Sequence, residues 1–202
     1  MPRREEYDGP CCVPCCVCLA NLVIALVVFP VVFYGVLHQV RVTVTDASLS
    51  RFALAGANGT ALLAYDLSLT VSVENPNEAM RAVNTAPLEA DIRFAGRRFD
   101  GARLAAKGGA IPEEKSTRFH LAAAGEVDAA QALGSDGVAE LVRETVAGTI
   151  QSLDLKLSGE VMYRPVHVGR FKLSVTCPLR LQTATPQAGT NVKVLDEVIK
   201  CP

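Results

Sequence analysis

Five of the seven cysteines in this 202-residue chain lie within its first 18 residues. Thiolates at such close spacing can bind zinc, although structural zinc sites usually take their four ligands from two separate segments. Cysteines beside a membrane helix are also usual sites of S-palmitoylation. The alternatives for the cluster are therefore acylation, unmodified thiols and, least favoured, a metal site. The five residues are Cys11, Cys12, Cys15, Cys16 and Cys18.

The other two cysteines, Cys177 and Cys201, stand far from this cluster. Cys177 lies on the apolar face of a predicted strand, where a free thiol would be an ordinary small core residue. If it paired with Cys201, the bond would close a loop of about 25 residues and stabilise the fold by roughly 3–3.5 kcal/mol. The sequence leaves both alternatives open.

Few other residues have the types and spacing that chemistry requires. Asn58, followed by Gly59 and Thr60, forms an acceptor triplet for N-glycosylation. The sequence contains no phosphate-binding loop, nucleophile elbow or His-Glu-x-x-His motif. We expect the three histidines, His38, His120 and His167, to be solvated. The sequence therefore predicts no catalytic residue, no cofactor and no metal site.

Net charge and aromatic content limit the kinds of partner that the chain is expected to bind. The chain carries a formal charge of −1 and lacks tryptophan, and aromatic residues make up 5% of it. Proteins that bind nucleic acid usually present a strongly basic surface. We therefore expect no nucleic-acid partner, and no small-molecule substrate is identified.

An uncharged apolar run extends from Cys18 to Leu37, and thirteen of its residues are Leu, Ile, Val or Phe. Twenty helical residues reach about 30 Å, which is the thickness of a bilayer's hydrocarbon core. The run predicts a transmembrane helix over 18–38, with a cleaved signal peptide and a buried core helix as the alternatives. A signal peptide usually has a shorter apolar region and a small-residue cleavage site after it.

The placement of the cysteines favours one orientation of this predicted helix. Crowded thiols are typical of the reducing cytosol, and an isolated pair is typical of an oxidising compartment. We therefore expect a cytosolic tail over 1–17 and the rest of the chain outside the cell, with the plasma membrane as the location. The glycosylation triplet at Asn58 agrees with this orientation.

Apolar and polar residues alternate through most of the chain after the predicted helix. The clearest examples are 40–45, 66–74, 153–163 and 171–181, and such alternation predicts antiparallel strands with one solvated face. We predict a seven-stranded antiparallel β-sandwich over 39–181 and a C-terminal tail over 182–202. Apolar residues at helical spacing predict one short helix, with Asp136 as its N-cap and Gly148 at its end.

One strand runs from Tyr65 to Glu74 and continues into Asn75, Pro76 and Asn77. This pattern, the strand 155–163 and the cysteine-rich N-terminus together resemble the plant NDR1/HIN1-like (NHL) family, which carries a late embryogenesis abundant group 2 domain. The resemblance implies a fibronectin-like sandwich at the plasma membrane, a link to defence or stress responses, and no catalytic residue. We interpret Asn75-Pro76-Asn77 as a structural turn.

The resulting hypothesis is a non-enzymatic, single-pass membrane protein whose outer β-sandwich is an interaction or adhesion module. Its partners would be the lipid bilayer and other membrane or cell-wall proteins. The alternative is a stress-protective domain that faces the cytosol and is tethered to a membrane.

Overall fold

The computed structural model describes residues 13–35, 37–55, 61–165, 169–182 and 198–201; in the first range, it describes the side chains of 17–28 and 31. The chain forms two compact units, Met1–Leu37 and His38–Pro202. Cys11, Cys12, Asn58 and His167 lie outside the described residues, so the predictions made for them stay predictions.

The described residues of the first unit form one helix, α1, from Val13 to Gly35. Its described large apolar side chains between Val17 and Val31 are exposed, with exposed fractions between 49% for Val28 and 65% for Leu26. Within the part of the chain that the structure describes, no helix combines the length and the apolar character that crossing a bilayer requires. The predicted transmembrane helix over 18–38 is therefore not confirmed.

The second unit is mainly β, as predicted. Its described residues contain ten strands and one helix. Seven strands have seven residues or more, and three have four residues or fewer. In chain order the elements are β1 (Arg41–Ala55), β2 (Leu62–Glu74), β3 (Arg81–Asn84), β4 (Leu88–Phe94), β5 (Arg97–Ala105), β6 (Ala110–Ile111), β7 (Ser116–Asp128), α2 (Ala129–Ala147), β8 (Thr149–Arg164), β9 (Phe171–Gln182) and β10 (Ile199–Lys200).

These strands form two antiparallel sheets. The first sheet has the order β10-β1-β2-β7. In the second sheet, β8 pairs with β4 and β3 along one edge and with β9 along the other, while β5 and β6 extend the sheet beyond β4 and β3. The sheets pack against each other, and the ring centroid of Phe52 in the first lies 5.4 Å from that of Phe94 in the second.

Alternation along the strands explains the core. Leu67, Leu69, Val71 and Val73 of β2 are buried, while Asp66 and Ser68 beside them are exposed. In β1 the buried positions are spaced by two and then three residues, because the pairing with β2 shifts between Val44 and Asp46 and again between Leu49 and Arg51. Each β-bulge adds one residue and returns the next apolar side chain to the core.

The helix α2 begins earlier than predicted. Its N-cap is Asp128, whose carboxylate accepts a hydrogen bond from the Gln131 amide at 2.8 Å, so the assignment of Asp136 as N-cap was wrong. A kink at Gly134, with φ 72° and ψ 175°, interrupts the helix two residues before Asp136. The predicted end is confirmed, because Gly148 caps the helix in the left-handed conformation.

Candidate functional site

Asn75 follows β2 and ties it to the residue before β3 and to the segment at the end of β6. Its side chain is fully buried. Its amide nitrogen Nδ2 lies 2.7 Å from the carbonyl oxygen of Met80, 3.1 Å from that of Pro112 and 3.3 Å from that of Ile111. The Asn75 backbone amide also donates to the carbonyl of Lys115 at 2.9 Å. These bonds fix the turn from inside the domain.

Asn77 binds the first residue of the domain, His38. Its Nδ2 donates to the His38 carbonyl at 2.7 Å, and its Oδ1 accepts from the His38 backbone amide at 2.8 Å. One side chain therefore satisfies both backbone groups of His38, as a neighbouring strand would. Nδ2 also donates to Oδ1 of Asn75 at 2.8 Å, so the two asparagines support each other.

Tyr163 of β8 holds the same segment two residues further on. Its hydroxyl oxygen accepts a hydrogen bond from the Val40 backbone amide at 3.1 Å. Burial raises the pKa of Tyr163 above its ordinary value, and the bond from Val40 opposes this to a smaller degree. The Tyr163 ring also makes an edge contact with Phe171, at a centroid distance of 5.6 Å. We call Asn75, Asn77 and Tyr163 the entry clamp.

The sequence predicts a structural turn at Asn75, Pro76 and Asn77. The structure places Asn75 and Asn77 in the interior, where their exposed fractions are 0% and 3%. His38, the partner of Asn77, is exposed, in agreement with its expected solvation, while its backbone is bound. Nothing in the alternating pattern signals that the chain before β1 returns to this turn, so the clamp was not predicted.

Cys177 and Cys201 form a disulfide that joins the two sheets. Cys177 lies in β9 of the second sheet and is fully buried, and Cys201 directly follows β10 of the first sheet. Their Cα atoms are 4.7 Å apart. The Cys201 amide also donates to the Val42 carbonyl of β1 at 3.1 Å. The disulfide and this hydrogen bond together hold Cys201 against the edge of the sandwich.

The structure describes only some of the cysteines in the N-terminal cluster. Cys18 is exposed and carries a free thiol. Cys15 and Cys16 lie within α1, but their side chains are outside the described residues, so acylation stays a prediction. Among the side chains that the structure describes, no group of three or more His, Cys, Asp or Glu residues could hold a metal ion.

A groove of about 610 Å³ lies between β1 and β9, where the two sheets come together at one edge. The groove is lined by apolar residues and by four exposed charged residues, which form its rim: Arg41, Lys172, Lys200 and Glu74. In the described part of the chain, none of these four residues takes part in an ion pair. The lining residues are Gln39, Val40, Arg41, Val42, Thr43, Glu74, Lys172, Leu173, Ser174, Val175, Lys200 and Cys201.

Glu144 is a buried polar residue whose hydrogen bonds stabilise the fold. The Glu144 carboxylate accepts hydrogen bonds from the backbone amides of Gln151 and Ser152, both at 3.0 Å, and from the Ser152 hydroxyl at 2.6 Å. These amides lie where the β8–β9 register shifts, between Ile150 and Leu153. Glu144 therefore satisfies donors that the bulge takes out of the ladder.

Tyr65 connects the two sheets at the other end of β2. Burial, with a smaller effect from its hydrogen bond to the Asp100 carboxylate, raises the pKa of Tyr65 to about 12. Gly125 lies opposite Tyr65 on β7, and a Cβ atom there would be 2.9 Å from the hydroxyl oxygen. The glycine leaves room for the phenol, and both groups belong to the framework of the domain.

Comparisons with known proteins give weak likenesses only. Neither a protein-family model nor the sequence of a curated protein matches this chain. A solution structure provisionally described as a late embryogenesis abundant protein is 12% identical, covers 90% of this chain and 94% of its own, and has a TM-score of 0.35. A protein from Arabidopsis thaliana is 16% identical, with coverage of 74% and 87% and a TM-score of 0.34.

A crystal structure from Archaeoglobus fulgidus resembles the chain to a similar degree. It is 8% identical, covers 75% of this chain and 100% of its own, and has a TM-score of 0.35. A protein provisionally described as late embryogenesis abundant is thus among the structural neighbours. At these scores the likenesses assign neither a family nor an activity.

Proposed function

We propose that this chain is a non-enzymatic, single-pass membrane protein of the NHL type. Its β domain lies outside the cell and is an interaction module in plant defence or stress responses. The family part of this proposal rests on the resemblance carried by Tyr65–Asn77 and the cysteine-rich N-terminus. The comparisons add no weight to it.

The disulfide is the observation that carries the proposed orientation. Disulfides persist in oxidising compartments and are rare in the cytosol. The domain after Leu37 contains the bond between Cys177 and Cys201, while Cys18 before it is a free thiol. A chain with its N-terminus in the cytosol and its domain outside satisfies both conditions.

The proposed membrane anchor is α1 with the apolar run from Cys18 to Leu37. Described side chains on successive turns, such as Leu22, Leu26 and Val31, are more than half exposed. Aliphatic side chains exposed to water lose the free energy that burial in an apolar medium supplies. A bilayer would supply that medium. The anchor rests on the sequence, since the described part of the helix does not itself meet the requirement for a span.

Protease treatment of intact plant protoplasts tests the orientation. We expect an impermeant protease to remove the domain from an N-terminally tagged chain, and endoglycosidase to increase the mobility of the wild type but not of Asn58→Gln. A tagged cytosolic protein in the same protoplasts is the control, because it should stay intact unless the cells lyse. A protected domain, with Cys177 and Cys201 labelled by a membrane-permeant maleimide, would instead support the cytosol-facing alternative.

Extraction at high pH tests the anchor. We expect the full chain to stay with the membrane pellet after carbonate washing, and a chain that begins at His38 to be released. Release of the full chain into the supernatant would contradict the proposed anchor. This experiment does not depend on the orientation of the domain.

A further inference from the structure

The edge strand β9 is incompletely covered over its first half. Its inward-facing residues Cys177, Leu179 and Leu181 are buried, whereas Phe171, Leu173 and Val175 on the same face remain partly exposed. Among the described strands, β9 pairs only with β8. The groove lies beside this half of the strand, so an edge that pairs with no further described strand and partly exposed apolar side chains occur together.

The opposite wall of the groove is formed by the start of β1. Val40 and Val42 line it and are themselves buried, and β10 pairs with β1 only at Thr43 and Val44. The disulfide at Cys177 and Cys201 joins the two walls at this side of the domain. The width of the groove is therefore set by a covalent bond and by the entry clamp on residues 38–40.

Charge distinguishes between possible occupants. The groove rim has three basic residues, Arg41, Lys172 and Lys200, against one acidic residue, Glu74. The sequence of β9 contains Lys172 and Arg180 and no carboxylate. A second copy that paired β9 with β9 would bring like charges together, which is unfavourable across strands. An acidic segment would meet complementary charge.

We propose that the groove binds an extended, acidic segment of a partner protein, which adds as a strand along Phe171–Thr176. Main-chain hydrogen bonds to an edge strand give affinity in this mode of recognition, and alternate side chains give specificity. The segment would place apolar side chains against Leu173 and Val175 and carboxylates near the basic rim. Pro178 has no N–H group and limits the edge on its C-terminal side. This inference names the partner class of the interaction module and rests on the proposed function.

A synthetic peptide tests the binding mode. The probe is a fluorescein-labelled, end-blocked peptide in which Glu and Val alternate over about seven residues, and the protein is the full chain in lipid nanodiscs. We expect saturable binding by fluorescence anisotropy, weakening as salt rises from about 50 to about 300 mM. N-methylation of alternate peptide bonds should weaken binding by about tenfold. Hydrogen exchange should show new protection of the amides in 171–176.

Variants of the protein test the site. We expect Lys172→Glu and Lys200→Glu to weaken binding by about fivefold each, and the exposed control Lys107→Glu, in the turn after β5, to leave it unchanged. Equal binding of a peptide with Lys in place of Glu would overturn the proposal. So would an unprotected β9, displacement of the peptide by vesicles of anionic lipid, or a second copy that occupies the edge in place of the peptide.

The peptide measurement is independent of where the domain lies in the cell. If the peptide fails to bind while protease and carbonate experiments give the expected results, the groove proposal is wrong and the anchored module stands. If the domain proves to face the cytosol, the proposed function is wrong, and the peptide result still decides whether the groove binds an added strand.

Discussion

In the entry clamp, the single side chain of Asn77 makes hydrogen bonds to two other residues. Asn77 bonds both backbone groups of His38, a residue 39 positions earlier in the chain, and supports Asn75 at the same time. A buried donor or acceptor without a partner costs about 1–3 kcal/mol. The three groups that meet at Asn77 can be satisfied together only by an amide, which both donates and accepts.

Replacement of this amide should be strongly destabilising. We expect Asn77→Ala to lower the free energy of unfolding by about 2–4 kcal/mol, because both backbone groups of His38 lose their partner. The Asn75 oxygen would keep only its bond from the Asn77 backbone amide, at 3.3 Å. Urea unfolding, followed by circular dichroism, measures the change. The exposed neighbour Glu78→Ala should change stability by less than about 0.5 kcal/mol. Equal losses in the two variants would show that Asn77 does not act through these bonds.

At the scale of elements, the disulfide joins β9 of one sheet to the chain end beside β1 of the other. The bonded cysteines are 24 positions apart. In the chain-entropy model, a crosslink of this length stabilises a protein by about 3.5 kcal/mol, because it restricts the unfolded chain.

Loss of this crosslink should therefore be measurable without loss of the fold. We expect Cys201→Ser to lower the free energy of unfolding by about 3.5 kcal/mol. Dithiothreitol should bring the wild type to the same stability and leave the variant unchanged. Cys18→Ser, which removes a free thiol, is the matched control and should behave as the wild type does. A variant as stable as the wild type would mean that the crosslink does not constrain the chain.

Most of the long strands could be predicted because they have one buried face. The nine-residue β5 was not predicted, because none of its residues is buried. Period-two alternation in β2, β8 and β9 marks such strands directly, and Gly148 marks the end of α2 by a local rule. The short strands β3, β6 and β10 have two to four residues, which is too few to show a period. The start of α2 was missed because Gly134 divides the helix, and the residues before it carry few large apolar side chains.

The candidate site was predicted less well than the fold. The Asn-Pro-Asn turn was visible because asparagine and proline have strong local preferences, and the pairing of Cys177 with Cys201 was one of two open alternatives. The entry clamp and the groove bring together residues that are far apart in sequence, such as His38 with Asn77 in the clamp and Val42 with Val175 in the groove lining. Contacts of this kind follow from the packing of sheets, for which a single sequence gives no direct signal.

At the scale of the whole domain, the two sheets are also linked by a titratable group. Tyr65 of the first sheet donates its phenol proton to the Asp100 carboxylate of the second, and its pKa is raised to about 12. An ordinary tyrosine has a pKa of 10.0. The folded state therefore keeps this proton between pH 10 and about 12, where the unfolded chain has lost it.

The sign of the pH dependence follows from this difference. A raised pKa contributes stability that is fully present below pH 10 and is lost as the pH rises to about 12. We expect the free energy of unfolding to fall with pH in this range by about 1.4 kcal/mol per unit more in the wild type than in Tyr65→Phe. Tyr163 also has a raised pKa, but it is present in both proteins and its effect cancels. Parallel pH profiles of chemical unfolding would contradict this prediction.

The entry clamp has a mechanical consequence. The pairing of β1 with β2 begins at Arg41 and Glu74. The bonds of Asn77 with His38 and of Tyr163 with Val40 come before it in the chain. Tension applied at residue 37 would reach these two side chains before it could peel β1 from β2. Asn77 and Tyr163 belong to different parts of the chain, so the force would be shared between two buried anchor points. The clamp would therefore protect the pairing of β1 with β2 from that force.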